Sequence, residues 1–300
     1  MRNRSDRARA ALAVVVTAVL ATAGCDAFGG GGSSGTKDTG GGASRAARKA
    51  APVWDRSPDS IAAVGDSITR GFDACAVLSD CPEVSWATGS DARVDSLAVR
   101  LLGVRGAAER SWNYAVTGAR MSDLPQQMAQ AATRGPQLVT VMAGANDACR
   151  SSASAMTPVD DFRADFQEAM DTLRSALPKT QVYVASVPNL KRLWSEGRTN
   201  PLGKEVWKLG ICPSMLADAD DLTSAAAVRR GEVQQRVEAY NTVLQEVCAK
   251  DRYCRFDDNA VHDYRFSTDQ LSHWDWFHPS KDGQARLAAI AYRTITAAKW

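Results

Sequence analysis

Short apolar runs alternate with longer amphipathic stretches along most of the chain. The apolar runs of strand length are Ser60–Val64, Trp112–Val116, Leu138–Ala143, Val182–Val187 and Tyr253–Phe256. The stretches with apolar residues at helical spacing are Val94–Leu102, Leu124–Ala132, Asp161–Leu177, Ala225–Lys250 and Lys281–Ala298. Strands that alternate with helices are typical of a parallel sheet covered on both faces. The pattern predicts an α/β fold, a three-layer α/β/α (flavodoxin-like) architecture with a mostly parallel five-stranded sheet.

Small and polar residues directly follow three of the predicted strands. They are Gly65-Asp66-Ser67 after the first strand, Thr117-Gly118 after the second and Gly144-Ala145-Asn146-Asp147 after the third. Ligands of such sheets bind at the carboxyl ends of the strands, so these segments are expected at one rim. A last loop, residues 272–278, precedes the final helix and can fold over the same rim. The sequence therefore predicts one site built from four separate segments.

The loop before the final helix offers a base and an acid for Ser67. A serine hydroxyl is a poor nucleophile until a base takes its proton, and a neutral imidazole needs a carboxylate to fix its tautomer. Among the three histidines of the chain, only His278 has an acidic residue, Asp275, three positions before it. The other candidate acids fit less well, because Asp66 adjoins the serine and Asp269 lacks the short offset. We therefore predict a catalytic triad of Ser67, His278 and Asp275.

Acyl transfer also needs hydrogen-bond donors for the oxyanion that forms when a serine attacks a carbonyl. The backbone N–H groups of Ser67 and Gly118 and the side-chain amide of Asn146 could supply them. Each residue has a plainer interpretation: Gly-Asp-Ser is a common turn tripeptide, Gly118 could supply a positive φ, and Asn146 could cap a helix. All of these plainer interpretations would have to be true together, for residues that occur in the right order and at one rim. We therefore prefer the catalytic interpretation.

These residues resemble the four markers of the SGNH (GDSL-type) serine hydrolases, a family of esterases and lipases. The markers match as Ser67 in Gly-Asp-Ser, Gly118, Asn146 in Gly-Ala-Asn-Asp, and His278 in Asp275-x-x-His. The resemblance implies that Ser67 is the nucleophile, His278 the general base and Asp275 its orienting acid. It further implies an oxyanion hole of Ser67, Gly118 and Asn146, and neither a cofactor nor a metal.

Within the family, the pattern is most similar to the phospholipase B-like branch. The agreeing segments are 85–89, 117–122 and 187–190. The resemblance implies hydrolysis of carboxylic esters, with lipid or phospholipid acyl esters preferred. A short-chain or polysaccharide O-acetyl esterase would use the same catalytic parts with a smaller pocket. A non-catalytic surface binding module is a third possibility, although none of the catalytic residues is missing.

The stretch 191–230 is long for a connection in one domain, and such segments are usually lids, binding loops or disordered. It contains apolar residues that could line an acyl groove or simply cover the sheet: Trp194, Trp207, Leu209, Ile211, Met215 and Leu216. The sequence leaves these two roles open.

The first 24 residues have the features of a signal peptide. Four arginines precede an apolar stretch, residues 10–24, that is too short to span a bilayer as a mature helix. The small residues before Cys25 resemble a bacterial lipobox, which implies lipidation of Cys25 and a membrane tether. Thr22 departs from that pattern, so cleavage by an ordinary signal peptidase and plain secretion stay open. Both outcomes place the protein outside the cytoplasm, as an extracellular membrane-anchored lipoprotein or a secreted protein.

Two further segments follow the leader. Residues 25–51 are rich in Gly and Ser and cannot bury enough apolar surface to offset their ordering entropy, so a flexible tether is expected. Residues 52–300 have about the length of one larger α/β domain and would form the catalytic domain.

The charge of the chain does not indicate a nucleic-acid partner. The formal net charge is +2, but the leader holds four arginines and one aspartate, and its removal leaves 32 basic and 33 acidic residues. A near-neutral chain without a basic stripe does not match the electrostatics of nucleic-acid binding. The expected partner is a small-molecule or lipid ester, and the protein is expected to be a monomer.

Six cysteines remain once Cys25 is assigned to the leader. An exported chain can join them in three disulfides, for which the sequence alone permits 15 connectivities. Two pairs that are close in sequence would close local loops, and the remaining two cysteines would then bridge a long insertion. The predicted pairs are Cys75–Cys81, Cys248–Cys254 and Cys149–Cys212. Metal ligation is disfavoured because the chain has no Cys-x-x-Cys motif and no histidine pair at metal spacing.

Overall fold

A five-stranded parallel sheet lies at the centre of the computed structural model, which describes residues 54–298. Its strands are β1 (Ile61–Gly65), β2 (Ser111–Asn113), β3 (Leu138–Met142), β4 (Gln181–Val184) and β5 (Cys254–Phe256). Their order is β2-β1-β3-β4-β5, and every neighbouring pair is parallel. This is the doubly wound order of flavodoxin-like folds, in which the chain changes direction beside β1. The predicted fold class is confirmed.

Helices flank the sheet. They are α1 (Leu97–Arg110), α2 (Leu124–Ala132), α3 (Ala145–Ala148), α4 (Val159–Ala176), α5 (Leu190–Gly197), α6 (Pro201–Trp207), α7 (Pro213–Leu216), α8 (Ser224–Cys248), α9 (Ala260–Asp263) and α10 (Lys281–Thr296). Helix α4 packs between α2 and α8, and α1 packs against α10. Every residue of β1, β3 and β4 is buried, and strands buried on both faces read as continuous apolar runs. This burial explains why the sequence pattern located them.

The first helix differs from its predicted bounds at both ends. It starts three residues later than predicted because the Ser96 hydroxyl accepts a hydrogen bond from the Val99 N–H and so caps the helix at that point. The predicted end at Leu102 coincides with an interruption at Gly103, where φ is +71°. A second helical segment then continues to Arg110. The glycine at position 103 permits this left-handed break within α1.

The stretch 191–230 is mostly helical, in contrast to the irregular connection expected from its length. Asparagine side chains at positions 189 and 200 accept backbone hydrogen bonds at the starts of α5 and α6. Of the apolar residues in this stretch, Trp207, Met215 and Leu216 are buried in the core, whereas Leu209 is 84% exposed. These positions favour a covering role for the segment.

Three disulfides link the described cysteines in the pairs Cys75–Cys81, Cys149–Cys212 and Cys248–Cys254. The first closes a loop shortly after Ser67. The second joins the residue after α3 to the residue before α7, across 63 positions of sequence. It therefore fastens the helical segment after β4 to the rim of the sheet.

Loss of the long-range disulfide is expected to cost more stability than loss of a local one. Constraining a chain segment of this length reduces the entropy of the unfolded state, an effect of about 4 kcal/mol. The double variant Cys149→Ala/Cys212→Ala should therefore unfold at clearly lower urea concentration than the wild type. The matched control, Cys248→Ala/Cys254→Ala, opens a bridge that spans only six positions and should lose about half as much. Equal losses in the two variants would contradict the prediction.

The predicted signal peptide, the lipidation site at Cys25 and the tether of residues 25–51 lie outside the described residues. None of the helices between residues 54 and 298 combines the length and the apolar character that a membrane crossing requires.

Candidate active site

Ser67 lies in the turn that leaves the carboxyl end of β1. Gly65 has φ +145°, and a Cβ atom at this position would lie 2.1 Å from the Met142 carbonyl oxygen, so only glycine permits this close approach of β1 to β3. The turn is closed by a hydrogen bond of 3.0 Å from the Phe72 N–H to the Ser67 carbonyl. Ser67 itself is largely buried. Its hydroxyl is thus held on a rigid turn at the rim of the sheet.

The loop before α10 brings His278 and Asp275 to this serine. His278 Nε2 lies 2.8 Å from Ser67 Oγ, and His278 Nδ1 lies 2.5 Å from Asp275 Oδ2. The other carboxylate oxygen, Asp275 Oδ1, accepts the backbone N–H groups of Phe277 and His278, both at 2.9 Å. The loop itself is closed by a hydrogen bond of 2.7 Å from the Ser272 N–H to the His278 carbonyl. Both ends of the carboxylate are therefore fixed in place.

The electrostatics of the Asp275–His278 pair favour a basic imidazole beside the neutral hydroxyl of Ser67. Burial by itself lowers the pKa of His278, but the hydrogen bond and charge of Asp275 outweigh it and raise that pKa above its ordinary value. For Asp275, burial acts to raise the pKa, yet His278 and the two backbone donors lower it overall. Asp275 is thus the ionised partner and accepts the Nδ1–H. Nε2 is then free to accept the Ser67 hydroxyl proton.

The loops that carry Gly118 and Asn146 meet beside Ser67. The Val116 N–H donates to the Gly65 carbonyl at 3.1 Å, which holds the loop after β2 against the end of β1. Asn146 Nδ2 donates to the Ala119 carbonyl at 2.9 Å, which ties the loop after β3 to the same loop. An amide group has two N–H bonds, so one remains for another acceptor. The structure thus brings the three predicted oxyanion donors to one rim.

Two further observations bear on these donors. Within residues 54–298, the backbone N–H groups of Ser67 and Gly118 donate to no protein acceptor. Gly118 has φ +84°, and a Cβ atom there would meet nothing within 4 Å. The glycine is therefore required by its backbone conformation, and the space next to it is open. Backbone N–H groups without a protein acceptor can bind an anionic oxygen.

The geometry of the Asn146 loop depends on the neighbouring Asp147. Its Oδ2 accepts the Met121 N–H at 2.9 Å and its Oδ1 accepts the Thr157 hydroxyl at 2.8 Å. Burial raises the pKa of Asp147 to about 6, even though both hydrogen bonds act in the opposite direction. Asp147 thus links the ends of two loops, which holds Asn146 at the rim.

Residues 85–89, one of the segments that suggested a phospholipase-like branch, support the turn after Ser67. Trp86 is fully buried, and its Nε1 donates to Thr69 Oγ1 at 3.2 Å. Gln284 of α10 accepts the Trp86 N–H at 2.9 Å and donates to the Ile68 carbonyl at 2.8 Å. This segment therefore positions the serine turn through backbone and indole hydrogen bonds.

An apolar cavity of about 20 Å³ lies beside His278. It is lined by Ile68, Ala145, Pro188, Leu190, Leu193, Phe266, Leu271, Phe277, His278, Pro279 and Leu287. None of the six apolar residues that the sequence singled out between positions 191 and 230 is among them. Its lining comes instead from the segments after β1, β3 and β4 and from residues in and around the loop before α10.

The sequence did not predict that two further residues support the site. Trp207 of α6 donates its Nε1–H to the Asp275 carbonyl at 2.8 Å and so supports the loop before α10 from outside. Asp73 is buried, and its carboxyl lies near Asp275 and His278. No motif marks either residue. The only sequence signal for Asp73 is its position, six residues after Ser67 and two before Cys75.

Two groups of side chains in the described part of the chain have the proximity that metal ligation needs. One consists of Cys75, Cys81 and Glu83, but both of its cysteines are joined in a disulfide. The other consists of Asp73 and the Asp275–His278 pair, in which His278 Nδ1 already bonds to the Asp275 carboxylate. In each group, two of the three residues are therefore already bonded to each other.

Several solved structures are similar to this chain. A family 3 carbohydrate esterase from Clostridium thermocellum is 14% identical with a TM-score of 0.47, covering 78% of this chain and 94% of that one. An extracellular lipase from Streptomyces rimosus is 16% identical with a TM-score of 0.44, covering 79% and 99%. Phospholipase A1 from Streptomyces albidoflavus NA297 is 19% identical with a TM-score of 0.45, covering 79% and 99%. A comparison with curated proteins gives no match.

The family itself is shown by a match that spans most of the described fold. Residues 61–291 match the profile of the GDSL-like lipase/acylhydrolase family. The matched range begins with β1, which delivers Ser67, and ends within α10, which follows His278. It thus includes every segment that meets at the rim of the sheet. With its fold and the whole of this rim inside the matched range, the chain belongs to the GDSL-like lipase/acylhydrolase family.

Proposed function

We propose that this protein is an exported, monomeric serine ester hydrolase that forms an acyl-enzyme on Ser67. The observation that carries the proposal is the continuous hydrogen-bonded series from Ser67 Oγ through His278 to Asp275. Family membership supports hydrolysis of an ester bond. The order and atoms of the series match the roles of nucleophile, general base and orienting acid.

In the proposed acylation step, Ser67 Oγ attacks the ester carbonyl carbon while His278 Nε2 takes the hydroxyl proton. The resulting oxyanion is stabilised by the N–H groups of Ser67 and Gly118 and by the free N–H of Asn146. The C–O bond to the alcohol then breaks, and His278 returns the proton to the leaving oxygen. Water activated by the same imidazole hydrolyses the acyl-enzyme and restores the serine.

Two substrate classes are supported by different observations. The apolar lining of the cavity beside His278 and the phospholipase-like segments support lipid or phospholipid acyl esters. The volume of the cavity, about 20 Å³, is little more than the space of one water molecule and favours a short acyl group such as acetyl. Longer acyl chains would require Leu193, Phe266 or Phe277 to move. A short-chain or polysaccharide O-acetyl esterase is therefore the second candidate.

A series of p-nitrophenyl esters from acetyl to palmitoyl tests both parts of the proposal. Serine ester hydrolysis predicts turnover with burst release of p-nitrophenolate, and a p-nitrophenyl phosphonate should add one covalent group at Ser67, detected by peptide mass spectrometry. A steep preference for acetyl would rule out the lipid substrates, and a preference for palmitoyl would rule out the acetyl esterase. Absence of both turnover and labelling would instead support a surface binding module.

Replacing Asn146 by alanine should lower kcat by about 10²- to 10³-fold, because one oxyanion donor is lost. KM should change little, since the donor acts mainly on the charge that develops in the transition state. Steady-state kinetics on the preferred ester measure both constants. As a control, Thr223→Ala removes the hydroxyl that caps α8 and should cost about 1 kcal/mol of stability with kcat unchanged. An unchanged kcat in Asn146→Ala would remove this residue from the oxyanion hole.

Export is part of the proposal. Three disulfides are typical of proteins that fold in an oxidising compartment. We propose that residues 1–24 are removed as a signal peptide and that residues 25–51 tether the catalytic domain of residues 52–300. Mass spectrometry of the mature N-terminus after expression in a bacterial host separates the two routes. A diacylglyceryl group on Cys25 indicates a lipoprotein, and an unmodified N-terminus indicates plain secretion.

A further inference from the structure

A second carboxyl group lies beside the triad. Asp73 is 3% exposed, and its carboxylate, that of Asp275 and a ring nitrogen of His278 lie within 4.8 Å of one another. Two buried carboxylates this close repel each other, so the ionised form of one of them is disfavoured. Asp275 already accepts three donors that stabilise its charge, which leaves Asp73 as the group that takes up a proton more readily.

The backbone of Asp73 is fixed by contacts on both sides. Its carbonyl accepts the Ser272 hydroxyl at 2.6 Å, and its N–H donates to the Ser79 carbonyl at 3.0 Å. The N–H of Leu78, which lies in the loop that the Cys75–Cys81 disulfide closes, donates to Asp73 Oδ1. Asp73 has φ +57°, a left-handed conformation that is costly for this residue type and persists only when its surroundings impose it. The fold thus holds this carboxyl against the catalytic loop.

The charges around the cluster are nearly all acidic. Asp275 and His278 of the catalytic loop and Asp66 of the serine turn are the groups that face one another here, and Asp66 and Asp73 both act electrostatically on His278. Within residues 54–298, neither Asp73 nor Asp275 forms an ion pair with a lysine or arginine. The imidazole is therefore the one positive group that can balance the carboxylates of this cluster.

We propose that Asp73 is a positioning residue for the triad: its buried carboxyl group, held beside Asp275 and His278, makes the imidazole more basic when it is ionised. The proposal rests on the proposed function, in which His278 is the general base. Asp73 acts on His278 through its charge and exchanges no proton with the substrate.

The proposal has a consequence for the pH dependence of catalysis. His278 must be neutral to take the Ser67 proton, so kcat/KM falls as the pH drops below the pKa of His278. Burial and the Asp275 charge raise the pKa of Asp73 to about 6. When Asp73 ionises above that pH, its negative charge stabilises the imidazolium and raises the pKa of His278. The acid limb of the profile therefore lies at higher pH than it would without Asp73.

Asp73→Asn tests this relation, because it removes the charge and keeps the shape of the side chain. The acid limb of the kcat/KM profile should move to lower pH by about one unit. The His278 ring should shift in parallel in an NMR titration of protein labelled at its histidines, with assignment by His278→Gln. Asp73→Ala removes the same charge and should move the acid limb in the same direction, with KM unchanged.

The matched control is Asp269→Asn, which removes one exposed carboxylate near the same loop and should leave the acid limb and the His278 titration unchanged. An unchanged acid limb and an unchanged titration in folded Asp73→Asn would overturn the proposal. The NMR measurement does not depend on turnover. Failure of the proposed function appears separately, as a wild-type protein without esterase activity that depends on Ser67.

Discussion

Ser67→Ala is expected to lower kcat on the order of 10⁶-fold while the protein keeps its fold. The side chain contributes the attacking oxygen, and no other hydroxyl is bonded to His278 Nε2 among the described residues. Removal of a nucleophile disables the base as well, so the loss is as large as that of the whole triad. A small residual activity over water would remain from the oxyanion donors. Initial rates on the preferred p-nitrophenyl ester measure the effect.

The matched control for this variant is Ser175→Ala, which changes an exposed serine on α4, away from the rim of the sheet. It should retain wild-type kcat and wild-type phosphonate labelling. Ser67→Ala should not be labelled at all, and its circular dichroism spectrum should match the wild type. Activity that survives in Ser67→Ala at more than trace level would refute the acyl-enzyme mechanism. Labelling at another residue would identify the actual nucleophile.

Asp275→Asn is expected to lower kcat about 10⁴-fold, through the tautomer of His278. Asp275 Oδ1 accepts two backbone N–H groups, and an asparagine can satisfy them only with its carbonyl oxygen. Its amide group would then face His278 Nδ1, where two donors cannot bond. The ring would change tautomer and place its proton on Nε2, the atom that must accept the proton of Ser67. The loss should appear in kcat more than in KM.

Nitrogen-15 NMR of labelled histidines reads the tautomer directly. The wild type should carry its proton on Nδ1 of His278 and the variant on Nε2. Asp269→Asn again serves as the control, because it makes the same chemical change at an exposed residue without a side-chain bond to the ring. If Asp275→Asn retained wild-type kcat, another group would have to orient the imidazole, and Asp73 would be the first residue to test.

The agreement between predicted and observed strands has a physical reason. Strands of a parallel sheet are buried on both faces, so they appear in sequence as unbroken apolar runs, as in β1 and β3. Helices on such a sheet keep one polar face and show the helical period. Alternation of the two patterns permits few topologies, because crossovers between parallel strands are right-handed. The sheet and its rim could therefore be predicted without coordinates.

Short helices between positions 190 and 216 could not be predicted in the same way. They are only four to eight residues long, which is too short for a helical period to appear. Their starts depend on local capping by Asn189 and Asn200, and on the Cys149–Cys212 disulfide that anchors the last of them. The hydrogen bond from Trp207 to the loop before α10 is a tertiary contact over 68 positions. Nothing within the segment itself indicates that contact.

The sequence by itself determined the sheet, the order of its strands along the chain and the candidate residues at the rim, because apolar periodicity and strand ends are local properties. Only the tertiary structure decided the volume of the cavity beside His278, which depends on side chains from several distant segments. It also decided the place of Asp73, because this residue, which lies just before a disulfide-closed loop, meets Asp275 only after the two loops pack together. Local patterns can indicate which residues are available for chemistry, whereas distances between loops depend on the packing of the whole domain.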